Sequence, residues 1–274
     1  MSGNINNKVV EGFGDEWARF DQSLLDPEEI RRIFEGYFEK FPWEMLPPDA
    51  VGFDLGCGSG RWAKLVAPRV GKLHLIDPSN AIEVARKNLT DFSNCEFHRA
   101  GVDEIPLADE SCDFGYCLGV LHHIPDTEDG LRKCVAKLKP GAPFLLYLYY
   151  RFDNRPIWYR YLWKLTDYIR RGVSKMPFPL RYFASQIIAA AVYYPLARLA
   201  LLAGKAGLDP KHFPLSQYRD KSFYTMRTDA LDRFGTRLEK RFTQKEMQDM
   251  MERCGLTDIE FSSTAYWTAV GYKR

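Results

Sequence analysis

The chain has 274 residues, 46% apolar and 27% charged, which is the balance of a soluble globular protein of one large domain, or of one domain with an insertion. A net charge of +2 is too small to point to a nucleic-acid partner. Six cysteines, at 57, 95, 112, 117, 134 and 254, form no C-x-x-C pair, which argues against zinc ribbons and disulfide scaffolds and for a reducing compartment, the cytoplasm.

The opening residues MSGNINNKVVEGFGDEW are polar and lack an apolar h-region, so no signal peptide is expected. Residues 1–25 read as an arm with interleaved aromatics, among which Trp17, Phe20 and Asp21 are candidates to close over a ligand. Asp26-Pro27-Glu28-Glu29 opens a helix to about Lys40, with Asp26 as N-cap and the acids favouring the helix dipole. Short apolar runs then alternate with polar helical stretches. Strands are predicted at Val51–Leu55, Lys72–Ile76, Cys95–His98, Asp113–Val120 and Pro143–Tyr149, with helices at Arg61–Arg69, Asn80–Leu89 and Thr127–Lys137. Such alternation implies a doubly wound, mainly parallel sheet. Residues 151–235 break the rhythm and read as mostly helical. Thr243–Arg253 reads as a further helix, and Thr257–Ser262 and Ala265–Tyr272 as a closing antiparallel hairpin. The expected organisation is an arm and helix over 1–49, a nucleotide-binding-type domain over 50–150 and 236–274, and a helical cap over 151–235.

The segment Asp54-Leu55-Gly56-Cys57-Gly58-Ser59-Gly60 places three glycines directly after the first strand, where the backbone must turn sharply and admit a ligand. A dinucleotide fingerprint needs a further glycine where this chain has Arg61. Asp77 ends the second strand, 21 residues after Gly56, where an acid can accept hydrogen bonds from ribose hydroxyls. Pro78 and Ser79 follow it. Gly101-Val102-Asp103-Glu104-Ile105-Pro106-Leu107 follows the third strand. Asp113 to Ile124 carries Leu118 and Gly119 at the end of the fourth, then His122 and His123.

In this order, these four motifs resemble class I S-adenosylmethionine-dependent methyltransferases of the type 11, small-molecule kind. The resemblance implies a seven-stranded sheet in the order 3-2-1-4-5-7-6, strand 7 antiparallel, and S-adenosyl-L-methionine as cofactor. It implies cofactor contacts from Asp54, Gly56, Cys57, Gly58, Gly60, Asp77, Pro78, Ser79, Gly101, Val102, Asp103, Leu118 and Gly119. Many relatives carry an Asp where Gly101 stands, so here Val102 and Asp103 are left to hold the adenine. The (Asp/Asn/Ser)-Pro-Pro-(Tyr/Phe) signature of amino methylation on bases is replaced by Leu118-Gly119-Val120-Leu121. A small-molecule acceptor, methylated at oxygen, nitrogen or carbon, is therefore expected, with no nucleic acid and no metal.

Candidate catalytic residues are His123 and His122 after the fourth strand, Tyr149 at the exit of the fifth, and Arg219 and Tyr224 in a polar, aromatic segment that reads as a lid. Packing roles compete for each of them. Residues 151–211 hold eleven basic residues and three acids, a local charge of +8. Phe183–Ala203 within them is apolar all round, yet contains Gln186, Pro195 and Arg198. It reads as a buried helix pair broken at Pro195 rather than a transmembrane span. The cap is expected to hold an anionic or amphiphilic acceptor, with peripheral membrane contact through 151–211 as a rival use. The non-enzymatic alternative is a catalytically silent cofactor-binding module.

Overall fold

The computed structural model describes residues 3–264 and 266–274, arranged as two compact units. The first comprises residues 1–21, 31–151 and 238–274, and the second residues 22–30 and 152–237.

The first unit is built on a seven-stranded sheet: β1 (Val51–Leu55), β2 (Lys72–Ile76), β3 (Cys95–His98), β4 (Phe114–Leu118), β5 (Pro143–Tyr147), β6 (Leu256–Phe261) and β7 (Ala269–Lys273). Their order is β3-β2-β1-β4-β5-β7-β6, and only β7 runs antiparallel to its neighbours. Every residue of β5 is buried, as an unbroken apolar run on a sheet covered on both faces requires. The β1–β4 register pairs Gly52 with Phe114 and Phe53 with Gly115. A Cβ on Gly52 would stand 2.2 Å from the Phe114 ring, and one on Gly115 2.5 Å from that of Phe53. Each glycine thus makes the space its partner's ring fills. The helices are α1 (Asn7–Arg19), α2 (Pro27–Tyr37, running from the second unit into the first), α3 (Ala63–Val66), α4 (Ala81–Asn88) and α5 (Thr127–Lys137).

Several expectations are corrected here. The expected arm is largely helix α1, N-capped by Asn6, whose Oδ1 accepts from Val9 N at 3.3 Å. Gly12 and Gly14 disguise it in the sequence, because glycine opposes helix. Packing offsets that preference: α1 lies against α4, with Gly14 beside Ser79 just before it. The helix expected over Arg61–Arg69 is only α3 and a 3₁₀ turn at Ala67–Arg69 that takes in Pro68. Strands four and five end two residues earlier than expected: after β4 the chain turns at Gly119, with φ of +80°, and after β5 it leads into a bridge between Tyr150 and Phe242. The last two strands are Leu256–Phe261 and Ala269–Lys273; Ala265, expected to begin the final strand, lies outside the described residues.

The second unit is helical: α6 (Ile157–Val173), α7 (Phe178–Ile188), α8 (Tyr194–Lys205) and α9 (Phe223–Gly235). Its core joins Val173, Ala189, Tyr193, Ala197, Met226, Ala230 and Phe234. α7 and α8 are not a pair broken at Pro195. A π-helical stretch at Ala189–Tyr193 joins them into one helix, Phe178–Lys205. Proline lacks an N–H and crowds the carbonyl four residues back, and a wider turn just before it relieves both. The segment is not mainly buried either: Phe183 is 65% exposed and Leu202 60%. In the first unit the last helix, α10 (Gln244–Arg253), opens with a capping box between Thr243 and Glu246.

Candidate active site

One cavity in the first unit collects most of the sequence motifs, with about 810 Å³ of empty space including its open mouth. That is within the range of small-ligand sites. Its wall includes Gly56, Asp77, Pro78, Ser79, Gly101, Val102, Leu118, Gly119 and His123. Asp54, Cys57, Gly58, Gly60 and Asp103 are not in the wall.

The loop after β1 has φ of +75° at Gly56, +54° at Gly58 and +75° at Gly60, a conformation that glycine alone adopts freely. A Cβ on Gly56 would also lie 2.3 Å from Val120. Asp77 is buried and ties the loop to α4. Its Oδ2 accepts from Gly58 N at 3.0 Å, and its Oδ1 from Ser79 N at 2.9 Å and Ser79 Oγ at 2.6 Å. Asp54, fully buried under the loop, has its carboxyl pushed up to about 8, chiefly by burial, against the lowering influence of the Tyr116 hydroxyl. At neutral pH it holds its proton. Asp103 faces Lys133, 2.6 Å away, and accepts from Asn4 N.

Helix α1 closes one side of the cavity with Val9, Val10, Phe13 and Trp17. The chain before it is latched by Asn4, whose Nδ2 donates to Asp126 O at 2.6 Å and whose Oδ1 accepts from Asp126 N at 2.7 Å. Of the expected closing residues, Trp17 reaches the cavity wall. Phe20 is buried, and the Asp21 carbonyl accepts from Asn88.

His123 Nδ1 lies 2.7 Å from the Leu238 carbonyl. A carbonyl only accepts, so Nδ1 carries the proton and Nε2 the lone pair. The Phe13 ring lies 5.0 Å from the His123 ring, centre to centre. His122 is fully buried behind it, 4.0 Å from the His123 ring and 3.9 Å from that of Tyr149, and neither of its nitrogens has a hydrogen-bond partner among the described residues. Burial holds its imidazole well below its ordinary pKa, reinforced by His123 and Arg241. Tyr149 also stands beneath Arg241, 5.1 Å from its guanidinium, which pairs with Glu239 at 2.7 Å and donates to Tyr150 O at 3.1 Å.

Arg219 and Tyr224 belong to the second unit, where Arg219 pairs with Asp220 at 3.1 Å and the Tyr224 hydroxyl accepts from Gln22 N at 3.0 Å. Sequence reasoning missed Asn4, the α1 face and the Arg241–Glu239 pair. Val9, Phe13 and Trp17 recur every fourth residue, a helical signal that was there to find. Nothing local marks Arg241, which is sequence-distant from Tyr149.

Among the described residues, His74, Glu96 and His98 form the one group with metal-ligand chemistry, which the sequence did not suggest. His74 Nδ1 and His98 Nε2 are 2.9 Å apart, and Lys72 holds Glu96 at 2.6 Å. None of the three lines the cavity.

Residues 53–146 match a family model described as a methyltransferase domain. Over 96 residues the chain is 31% identical to a tRNA U34 carboxymethyltransferase of Nautilia profundicola, a match spanning 34% of this chain and 32% of that protein. It is 33% identical over 145 residues to a ubiquinone biosynthesis O-methyltransferase of Hahella chejuensis, spanning 51% of this chain and 60% of the other. Both matches span less than two thirds of the relative's length. In fold, the chain superposes with a TM-score of 0.56 on the CurJ carbon methyltransferase, at 11% identity, over 94% of this chain and 58% of that one. An O-methyltransferase family protein of Burkholderia thailandensis gives 0.50 at 14% identity, over 96% and 58%.

Proposed function

We propose that this chain, which belongs to the class I S-adenosylmethionine-dependent methyltransferases by its domain at 53–146 and its sheet order, transfers a methyl group to a small, amphiphilic acceptor. The observation that carries the reading is the single cavity uniting the glycine loop, Asp77, Val102 and His123.

The residues fit the cofactor. Asp77 presents a buried carboxylate at the wall for the ribose hydroxyls, Gly56 lets the loop pass close against Val120 in that wall, and Val102 and Leu118 offer apolar walls for the adenine. S-adenosylmethionine, when bound, supplies an electrophilic methyl group on a sulfonium whose charge is lost on transfer. The chain must then align an acceptor and exclude water. Helix α1 does the excluding, with Phe13 and Trp17. His123, its tautomer set by Leu238, offers Nε2 as the base for an acceptor hydroxyl. An oxygen acceptor agrees with the several curated relatives named O-methyltransferases. The Phe13, Ile124 and Val9 side chains make the space near His123 apolar, which suits an amphiphile. The six cysteines are all free thiols, consistent with a cytoplasmic setting.

The test is turnover of a panel of phenolic and other small acceptors with labelled cofactor, in wild type and His123→Gln. Methyl incorporation that falls about a hundredfold in the variant, with cofactor affinity kept, supports the reading, since general-base loss costs roughly 10²–10⁴ in rate. Cofactor binding without turnover on any acceptor would favour the silent-module alternative.

A further inference from the structure

The second unit turns its apolar residues outward. Of the twenty large apolar side chains exposed among the described residues, sixteen lie between Ile157 and Leu208. A soluble monomer rarely leaves apolar patches beyond a few hundred Å². On α6, Trp158, Tyr161, Leu165 and Tyr168 follow helical spacing as one stripe, each at least half exposed, while Asp167, Arg170 and Val173 are buried. On the Phe178–Lys205 helix, Leu180, Phe183, Ile187, Leu199 and Leu202 are likewise at least half exposed. The row through Ser185, Ala189, Tyr193 and Ala197 is buried, its last three packed with Met226, Ala230 and Phe234 of α9.

The charge on these helices is predominantly of one sign. Residues 154–208 contain nine basic residues and a single acid, Asp167. That acid is buried and accepts from Arg170 Nε at 2.7 Å and Arg171 Nε at 2.8 Å. The exposed cations, among them Arg160, Lys164, Lys175 and Lys205, therefore face no exposed carboxylate within this stretch. We propose that this face docks on an anionic lipid surface, with its Leu, Ile and aromatic side chains in the headgroup–acyl boundary and its cations on the lipid phosphates. A second copy of the chain would set like charges against each other, and nucleic acid offers nothing to bury aliphatic stripes against.

The Phe178–Lys205 helix is long enough to cross a bilayer, but its inner row is committed. Arg181 Nη1 donates to Gly235 O at 3.2 Å, Arg198 Nη1 donates to Arg219 O at 2.8 Å, and Gln186 Oε1 accepts from Arg227. Spanning would strip these groups in hydrocarbon at a cost of several kcal/mol each, so the helix lies on the membrane. The proposal does not depend on the methyl-transfer reading.

Flotation of the full chain with vesicles of phosphatidylcholine alone, or with phosphatidylglycerol added, tests it. The expected result is binding to the anionic vesicles that weakens with salt. Leu165→Glu with Phe183→Glu should reduce it at least about tenfold, and Arg171→Gln with Lys175→Gln about fivefold per charge. All four positions are exposed, and an unchanged circular dichroism spectrum confirms folding of each variant. Brominated lipids should quench Trp158. Absence of flotation, or binding unaffected by the glutamates, would overturn the proposal. So would a dimer in sedimentation velocity that the glutamates dissociate, which would assign the face to a second copy.

Discussion

Asp77 has two claims on its carboxylate. Three donors from Gly58 and Ser79 already occupy most of its roughly four acceptor positions, so it organises the loop as well as facing the cavity. If it also holds the ribose, Asp77→Ala should weaken binding of the demethylated cofactor far more than His122→Ala. A charged hydrogen-bond acceptor is worth about 1.5–3 kcal/mol, at least tenfold in affinity. Titration calorimetry reads this directly, and unchanged affinity would leave Asp77 as a cap alone. Two buried groups give opposite pH dependences. An unfolded histidine takes a proton near 6.5, whereas His122 in the fold resists it, so its contribution to stability falls as pH drops below 6.5. An unfolded aspartate ionises near 3.8, whereas folded Asp54 keeps its proton to about 8, so its contribution falls as pH rises between those values. Thermal melts between pH 6.5 and 8 should therefore show a decline that Asp54→Asn flattens, at roughly one kcal/mol per pH unit. An identical slope in the variant would show that Asp54 does not cause it.

At the scale of elements, the β1–β4 contact depends on two glycines set against two phenylalanines. Gly52→Ala forces a methyl into the Phe114 ring and should cost about 1–3 kcal/mol, measured by urea unfolding. Full stability in that variant would mean the two strands separate more easily than the packing implies. Helix α1 makes a different kind of contribution. It is latched by one side chain, Asn4, across to the Asp126 backbone. Asn4→Ala should leave the melting temperature nearly unchanged and speed cofactor dissociation severalfold in stopped flow. Equal dissociation rates would show that α1 stays closed without its latch.

The whole molecule divides its charge. Residues 152–237 carry fifteen basic residues and six acids, a net +9 on a chain of +2, so the remainder carries −7. The cofactor cavity is walled entirely by the first unit, and the exposed apolar stripes belong to the second. Ligand binding should therefore stabilise the first unit by mass action. At about 100 times its dissociation constant the demethylated cofactor adds about 2.7 kcal/mol. A melting shift with it and with S-adenosylmethionine, but not with NAD, is expected in scanning fluorimetry. A shift with NAD alone would contradict the reading of Arg61.

The sequence by itself determined the strands of the sheet and the residues of the glycine loop, because those features are local, whereas the order of the strands followed only from the resemblance of the four motifs to a known family. Apolar runs of five residues, glycines at positive φ and an acid at a strand end are written in consecutive positions. The inserted helices were also legible from composition. Tertiary structure alone decided what local patterns hide. Gly12 and Gly14 concealed α1, whose helix is stabilised by packing against α4 rather than by propensity. Arg241 and Glu239 reach Tyr149 only through pairing at the Tyr150–Phe242 bridge, which joins segments some ninety residues apart. An apolar segment reads the same whether its side chains face a core or the outside. Only the packing of Ser185, Ala189, Tyr193 and Ala197 inward established that Phe183, Leu199 and Leu202 face outward.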